Sequence, residues 1–188
     1  MAYPLKLYDC SLITDGAAAV IIASEERAKA ISKKPVWIVG TGLATDTLRL
    51  ADRKSLTSIL AAREAAKTAY KMAGVGPADI DVATVHDCFT IAEIVAYEDL
   101  GFCEKGEGGK LIAAKETYVG GRIPVNVDGG LKSKGHPIGA TGVSMAIEIT
   151  KQLRGEAGER QVKNAEIGLA HNVGGTGQVV AVHIFRRE

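Results

Sequence analysis

The chain has 188 residues, of which 46% are hydrophobic, and a formal net charge of +1 at pH 7. This length fits one domain of ordinary size, or one domain and a fragment of another. A charge so close to zero, without a long block of Lys or Arg, gives no electrostatic basis for binding nucleic acid. No apolar run approaches the roughly 20 residues that span a bilayer, so we expect a cytoplasmic protein that binds small molecules or other proteins and does not contact membranes.

The cysteines predict neither a disulfide framework nor a metal site. Cys10, Cys88 and Cys103 are odd in number and irregularly spaced. Disulfide scaffolds and zinc ribbons need paired or regularly spaced cysteines, so we expect three reduced thiols and no bound metal.

The first 34 residues predict a strand and a short helix. Asp15 and Gly16 form a turn signal, and residues 17–24 are a continuous run of small apolar and β-branched side chains, which is typical of a strand buried on both faces. Ser24, followed by two glutamates, has the pattern of a helix N-cap, and this predicts a helix to about Ile31.

The middle of the chain alternates strand and helix patterns. Residues 36–43 and 80–85 are rich in β-branched or apolar side chains and predict strands. Residues 55–73 carry apolar side chains at helical spacing and end at Gly74, and residues 90–100 predict a further helix.

The last third predicts a helix and a strand pair. Residues 140–153 follow a glycine-rich stretch and have helical spacing, whereas residues 167–173 and 178–185 read as strands joined by a glycine-rich turn at 174–177. Strands that alternate with helices and end in a strand pair predict an α/β domain with a mixed sheet flanked by helices.

A first candidate site residue lies in the glycine-rich stretch before the last helix. His136 stands between Gly135 and Pro137, and proline restricts both its own φ and the conformation of the residue before it. The imidazole is therefore presented from a rigid turn. Structural punctuation between two elements is the alternative explanation.

A second candidate follows the predicted strand at 80–85. The segment His86-Asp87-Cys88-Phe89 stands between a strand end and a helix start. A thiol near a helix amino terminus lies in the positive end of the helix dipole, which stabilises the thiolate and lowers its pKa. Cys88 is therefore a candidate proton-transfer group, and a buried small apolar side chain is the alternative.

A third candidate lies at the turn between the last two strands. The segment His171-Asn172-Val173-Gly174-Gly175 leads into this turn, and glycines let backbone N–H groups approach a substrate oxygen, as in an oxyanion hole. A plain tight hairpin is the competing explanation.

These three motifs together resemble the thiolases. Gly-Leu-Lys-Ser-Lys-Gly-His-Pro-Ile-Gly-Ala-Thr-Gly is similar to the Gly-His-Pro signature of that superfamily, and His-Asp-Cys-Phe resembles the fingerprint of the sterol carrier protein 2 type, which includes archaeal and bacterial relatives. The resemblance implies that residues 35–188 form a thiolase carboxy-terminal domain with a five-stranded mixed sheet. Residues 1–34 would then be the end of the loop region and the last strand and helix of an amino-terminal half.

The resemblance also implies a reaction and a role for each candidate residue. Thiolases catalyse a reversible Claisen condensation of acyl-CoA thioesters, so coenzyme A would be a substrate or product and no cofactor would stay bound. His136 would activate a cysteine nucleophile, Cys88 would be the acid/base, and His86 would contribute to an oxyanion or water site. Asn172 stands where other thiolases have the cysteine of a Cys-X-Gly motif, and it would line the pocket with Gly174 and Gly175.

One essential group has no match in the sequence. In the family, the nucleophilic cysteine lies in the amino-terminal half, and neither Cys10 nor Cys103 has that context. The resemblance therefore implies a partner half that carries this cysteine, in a homo- or hetero-oligomer. Two alternatives remain open: a retro-aldolase built on the same scaffold, and a non-catalytic subunit that binds acyl-CoA or serves assembly.

Overall fold

The computed structural model describes residues 3–188 and contains one mixed sheet between helices. The strand order is β1-β4-β3-β2, where β4 is antiparallel to both β1 and β3, and β2 is parallel to β3. The mixed α/β architecture predicted from the alternating pattern is confirmed. The strands are β1 (Val36–Thr45), β2 (Val82–Val85), β3 (Ile167–Gly174) and β4 (Val179–Arg187).

The helices of the described chain cover both faces of the sheet. Helix α2 packs against β1 and β4 and joins α3 in one apolar core, and α6 packs against β2 and β3 in a second core on the opposite face. The helices are α1 (Glu25–Ile31), α2 (Leu60–Ala73), α3 (Thr90–Asp99), α4 (Gly108–Ala113), α5 (Gly130–Lys134) and α6 (Thr141–Arg154). Within residues 3–188, no helix combines the length and the apolar character needed to cross a membrane.

Two glycines of β1 bring α2 close to the sheet. A Cβ added to Gly40 would lie 2.4 Å from the carbonyl oxygen of Ala69, and one added to Gly42 would lie 1.9 Å from that of Ala65. The buried side of α2 is also mostly alanine. The helix backbone therefore rests directly on the strand, which only small residues on both elements allow.

Helix α2 begins at Leu60, five residues later than the apolar spacing predicts. The carboxylate of Asp99, at the end of α3, accepts hydrogen bonds from the Ile59 N–H at 2.6 Å and from the Ser58 hydroxyl at 2.5 Å. A distant side chain thus satisfies donors at the helix start, where local capping residues would otherwise act.

The strand predicted at residues 17–24 is wrong. This segment forms no regular element, and Val20, Ile21 and Ile22 are 44%, 90% and 77% exposed. No strand of residues 3–188 pairs with it, so its backbone has no ladder to join. The following helix agrees with the prediction, since the Ser24 hydroxyl accepts a bond from the Arg27 N–H.

The five-stranded sheet that the resemblance implies is wrong, because the sheet of residues 3–188 has four strands and only a single bridge lies beside β2. Ala83 of β2 pairs in parallel with Val125, through bonds of 2.9 Å that involve the carbonyl of Pro124 and the N–H of Asn126. Proline has no N–H to donate, and Asn126 turns to a φ of 49°, outside the extended region. The sheet therefore has four strands where five were expected.

The other predicted elements agree with the structure to within a few residues. Helices α3 and α6 and strands β1 to β4 occupy the predicted segments, and the turn at 174–177 joins two antiparallel strands. Helix α5 lies in the glycine-rich stretch, where a turn was expected. The division into two domains at residues 34 and 35 stays a prediction.

Candidate active site

His136 lies in a turn that is fixed from two sides. Helix α5 is followed by Gly135, whose φ of 87° suits glycine, and α6 begins five residues after the histidine. Ile13 forms a parallel bridge with His136, and a Cβ on Gly135 would lie 2.6 Å from the hydroxyl oxygen of Thr14. The early segment of the chain therefore packs directly on the histidine turn.

The hydrogen bonds of His136 define which ring nitrogen is free. Its Nδ1 lies 2.7 Å from the Thr141 hydroxyl oxygen, which itself donates to the carbonyl of Pro137 at 3.1 Å. Because a hydroxyl has one hydrogen, Thr141 must accept the bond from Nδ1–H. In the neutral ring, Nε2 then carries the lone pair and can accept a proton.

A second imidazole packs against this ring and is itself bonded to an amide. The rings of His86 and His136 are 4.9 Å apart and nearly perpendicular, and His86 Nδ1 lies 2.9 Å from Asn172 Oδ1. A Cβ on Gly142 would lie 2.8 Å from the Asn172 nitrogen, so this glycine lets the amide lie against α6. Folding thus brings together one residue from each of the three sequence motifs.

His86 is a neutral imidazole. Its pKa is lowered to about 4, mainly by burial and to a smaller extent by the nearby His136, whereas the hydrogen bond with Asn172 opposes the shift. Its Nδ1–H donates to the Asn172 carbonyl oxygen, and its Nε2 is therefore an acceptor at neutral pH.

Cys88 lies in the connection between β2 and α3 and is half-buried. Its carbonyl accepts a bond of 2.8 Å from the Ser11 N–H, and Cys10 forms an antiparallel bridge with Phe89. The segment that contacts the His136 turn therefore also borders Cys88. In residues 3–188, no hydrogen bond joins the Cys88 thiol to either imidazole.

The expected decrease of the Cys88 pKa is wrong. Burial raises the pKa of this thiol, and the adjacent charge of Asp87 raises it further. Backbone N–H groups at Phe89 and at Cys88 itself act in the opposite direction, but they are the smaller effect. Desolvation thus outweighs the start of α3, and the thiol stays protonated at neutral pH.

Gly174 and Gly175 lie at the β3–β4 turn. The Gly177 N–H donates to the Gly174 carbonyl at 3.2 Å, and Arg53 Nη1 donates to the carbonyl of Thr176 at 2.6 Å. Gly175 has a φ of 59°, which favours glycine. These contacts account for a tight hairpin, and the lining of a substrate pocket by the two glycines stays a prediction.

Asp87 is a structural residue of the site that the sequence did not reveal. Its carboxylate accepts bonds from the N–H groups of Leu131 at 2.8 Å and Lys132 at 3.4 Å, in the first turn of α5. A Cβ on Gly130 would lie 2.3 Å from this carboxylate. The motif that holds His86 and Cys88 therefore anchors α5, the helix that precedes His136. In the sequence, Gly130 was the one local indication that a side chain packs closely at this point.

Thr141 is the second residue that the sequence motifs did not single out. Its place five residues after the histidine, at the start of α6, puts its hydroxyl on the imidazole.

Within the described part of the chain, no group of three or more His, Cys, Asp or Glu side chains is arranged to hold a metal ion.

Comparison with known proteins places the chain in a family. The family described as "Thiolase C-terminal domain-like" matches residues 42–187. An acetyl-CoA acetyltransferase of Methanothermobacter thermautotrophicus is 54% identical over all of this chain and 49% of that protein. Sterol carrier protein 2 of Rattus norvegicus is 42% identical over 97% of this chain and 34% of that protein.

A solved structure is similar over nearly the whole chain. The "Ltp2-ChsH2(DUF35) aldolase" has a TM-score of 0.86 and 26% identity, over 99% of this chain and 48% of the solved one. The chain belongs to the thiolase C-terminal domain-like family and has the thiolase-like α/β fold. The chain spans 49% of the length of the archaeal relative and 34% of the length of sterol carrier protein 2.

Proposed function

We propose that this chain supplies the carboxy-terminal half of a thiolase-type acyltransferase, which reversibly condenses two acyl-CoA thioesters to a 3-ketoacyl-CoA and free CoA. The observation that carries the proposal is the packing of His136 against His86, which in turn is bonded to Asn172, with the Nδ1 proton of His136 directed at Thr141. The family match and the archaeal acetyl-CoA acetyltransferase support this class of substrate.

His136 acts as the base for the nucleophile. Its Nε2 takes the proton from a cysteine thiol of a partner half, and the thiolate attacks the thioester carbonyl of the first acyl-CoA. The bond from carbon to the CoA sulfur breaks, CoA leaves as the thiolate and takes up the proton, and an acyl-cysteine remains. The bond from Nδ1 to Thr141 holds the ring in the tautomer that this step needs.

Cys88 moves the second proton. In the condensing direction its thiolate removes a proton from the α-carbon of acetyl-CoA, and the carbanion attacks the acyl-cysteine and displaces the cysteine sulfur. In the cleavage direction its thiol returns that proton to the departing carbanion. The raised pKa of Cys88 keeps it protonated at neutral pH, which favours the donor role in cleavage.

His86 and Asn172 bind water and shape the pocket. The acceptor Nε2 of neutral His86 can hold a water molecule whose free O–H donates to the thioester oxygen as negative charge develops there. Gly174 and Gly175 line the same pocket from the β3–β4 turn.

The partner is an amino-terminal thiolase half that carries the nucleophilic cysteine. This chain spans about half the length of the archaeal relative, and large apolar side chains are exposed on it, including Ile21 at 90% and Leu43 at 71%. Exposed apolar surface favours association. The name of the similar aldolase, which joins a second component to the thiolase-like one, supports a hetero-oligomer.

Reconstitution tests the proposal. The remaining half of the Methanothermobacter protein is added to this chain, and CoA-dependent cleavage of a 3-ketoacyl-CoA is followed. We expect activity that His136→Ala and Cys88→Ala each reduce by at least about a hundredfold, and that the control Cys103→Ala retains. Association without turnover would favour a non-catalytic subunit, and full activity of Cys88→Ala would contradict the proposed acid/base.

Retro-aldol cleavage of an acyl-CoA is the second candidate, because a solved structure that is similar over 99% of this chain is an aldolase. The same reconstituted protein is assayed for cleavage of a 3-hydroxyacyl-CoA without added CoA. Aldol cleavage in the absence of thiolysis would favour this candidate. The half-buried thiol of Cys88 is the feature that favours thiolysis instead.

A further inference from the structure

A short segment at residues 10–14, here called the bridging segment, crosses the candidate site and contacts both proposed proton-transfer residues. Near one end, the Ser11 N–H donates to the Cys88 carbonyl at 2.8 Å. Near the other end, Ile13 forms a parallel bridge with His136. In residues 3–188 no hydrogen bond joins the Cys88 thiol to the His136 ring, so the bridging segment connects the two residues through its backbone.

The bridging segment is held by backbone contacts rather than by apolar burial. Its residues belong to no helix or strand, and the Leu12 and Ile13 side chains are 67% and 96% exposed. Directly before it, the Asp9 carboxylate accepts a bond of 3.0 Å from the Thr90 hydroxyl at the start of α3. A segment with little buried apolar surface depends on its few hydrogen bonds, so the loss of one bond should loosen it.

Lys132 of α5 closes a ring of contacts around Cys88. Its ammonium donates to the Cys10 carbonyl at 2.5 Å, and its backbone N–H donates to the Asp87 carboxylate at 3.4 Å. Asp87 precedes Cys88 in the chain, and Cys10 precedes Ser11, whose N–H bonds to the Cys88 carbonyl. The backbone of Cys88 is therefore tied to one lysine from two directions.

The ammonium of Lys132 is directed at this backbone and not at another charge. Within residues 3–188, no ion pair includes Lys132, whereas Lys134, two residues later, pairs with the Asp128 carboxylate. A hydrogen bond from a charged donor is about twice as strong as one between neutral groups. The bond to the Cys10 carbonyl is therefore among the stronger contacts that hold the bridging segment.

We propose that Lys132 is a positioning residue that, through the bridging segment, holds Cys88 and His136 at the separation that the two proton transfers require. This inference rests on the proposed function, because it concerns the acid/base and the base of that reaction. Without the ammonium, the bond from Ser11 to Cys88 opens more often and the thiol moves away from the substrate carbon. Proton transfer depends steeply on geometry, so the loss falls on the chemical step.

Hydrogen exchange tests the ring of contacts without requiring turnover. Deuterium uptake of the peptide that contains Ser11 is followed by mass spectrometry in the intact chain, for the wild type and for Lys132→Met. Methionine keeps the length of the side chain but has no N–H, so we expect about tenfold faster exchange. Lys132→Arg keeps a charged donor and should retain most of the protection. Unchanged uptake in the peptide of β4 shows that the variants are folded.

Thiolysis by the reconstituted enzyme tests the positioning role. Lys132→Met should lower kcat by about tenfold and leave the KM for CoA within about twofold, because the ammonium contacts the backbone and not the substrate. Lys132→Arg should restore most of kcat. The matched control Lys110→Met removes an ammonium that is 76% exposed and pairs with Glu107, and it should follow the wild type in both constants.

Three results would overturn the proposal, and none of them depends on whether the proposed function holds. Unchanged exchange at Ser11 in Lys132→Met would show that the ammonium does not hold the segment. A raised KM for CoA at unchanged kcat would assign the ammonium to a CoA phosphate instead. Faster exchange with wild-type kcat would limit Lys132 to local stability. A reconstituted enzyme without any turnover would count against the proposed function, and the exchange at Ser11 would still test the ring.

Discussion

Single hydrogen atoms determine what the two facing imidazoles can do. The Thr141 hydroxyl donates to the Pro137 carbonyl and so fixes the proton of His136 on Nδ1. The amide of Asn172 does the same for His86. In their neutral forms both rings therefore present Nε2 as an acceptor, which the proposed function uses for a thiol at His136 and for water at His86. These assignments depend on contacts between segments, which motif spacing alone does not contain.

Replacing the Thr141 hydroxyl tests this arrangement. Thr141→Val keeps the shape of the side chain but lets His136 adopt the other tautomer, so kcat for thiolysis in the reconstituted enzyme should fall by about tenfold or more. Thr141→Ser keeps the hydroxyl and should retain most of the rate. Equal rates for the valine and serine variants would contradict the role of this bond.

The buried ring of His171 should make the folded state less stable in acid. It is 1% exposed, neither of its nitrogens has a partner in the described chain, and burial lowers its pKa to about 3. In the unfolded chain, a histidine has a pKa near 6.5. Between this value and about 3, His171 therefore binds a proton in the unfolded chain but not in the folded chain. Stability contributed by this neutral ring is therefore complete above pH 6.5 and is lost as pH falls towards 3.

The variant His171→Leu should lose less unfolding free energy than the wild type when the pH falls. Between pH 7 and 5 the wild type should lose about 2 kcal/mol more unfolding free energy than His171→Leu, because one proton linkage has been removed. Urea unfolding at the two pH values measures the difference. Each protein is compared with itself at pH 7, where the side chain at position 171 is uncharged in the folded state of both, so that only the change with pH is scored. An equal acid loss in both proteins would contradict the assignment.

Contacts within an element were predictable from the sequence, and contacts between elements were not. The helical spacing of residues 140–153 and the glycine turn at 174–177 predicted α6 and the final strand pair, because local pattern and tertiary packing agree there. The segment 17–24 has the composition of a buried strand but no strand beside it. The start of α2 depends on Asp99 from another helix, a partner that no local pattern indicates.

The close approach of α2 to β1 gives a prediction at this scale. Gly42→Ala would place a methyl group 1.9 Å from the Ala65 carbonyl oxygen, so the helix must move away from the sheet. We expect a loss of about 1–3 kcal/mol in unfolding free energy, measured by urea denaturation. Gly109→Ala is the control, because nothing lies within 4 Å of its added Cβ and alanine favours its helix. A Gly42→Ala variant as stable as this control would contradict the packing.

The whole molecule has the fold of a thiolase carboxy-terminal domain and the length of about half an archaeal thiolase relative. One histidine from the turn before α6, one from the end of β2 and an amide from β3 meet in it. The three sequence motifs singled out these residues, and their work as one catalytic site stays a prediction. The proposed nucleophile belongs to a partner half, and two half-reactions can therefore be assigned to different residues of this chain.

Separate measurement of those half-reactions is the most direct test. In the reconstituted enzyme, transfer of a labelled acyl group to the partner cysteine should require His136 and should survive Cys88→Ala. Exchange of the α-hydrogens of acetyl-CoA with deuterated water should instead require Cys88. If Cys88→Ala retains wild-type exchange, or if His136→Ala acylates at the wild-type rate, this chain does not supply the base and the acid/base of acyl transfer.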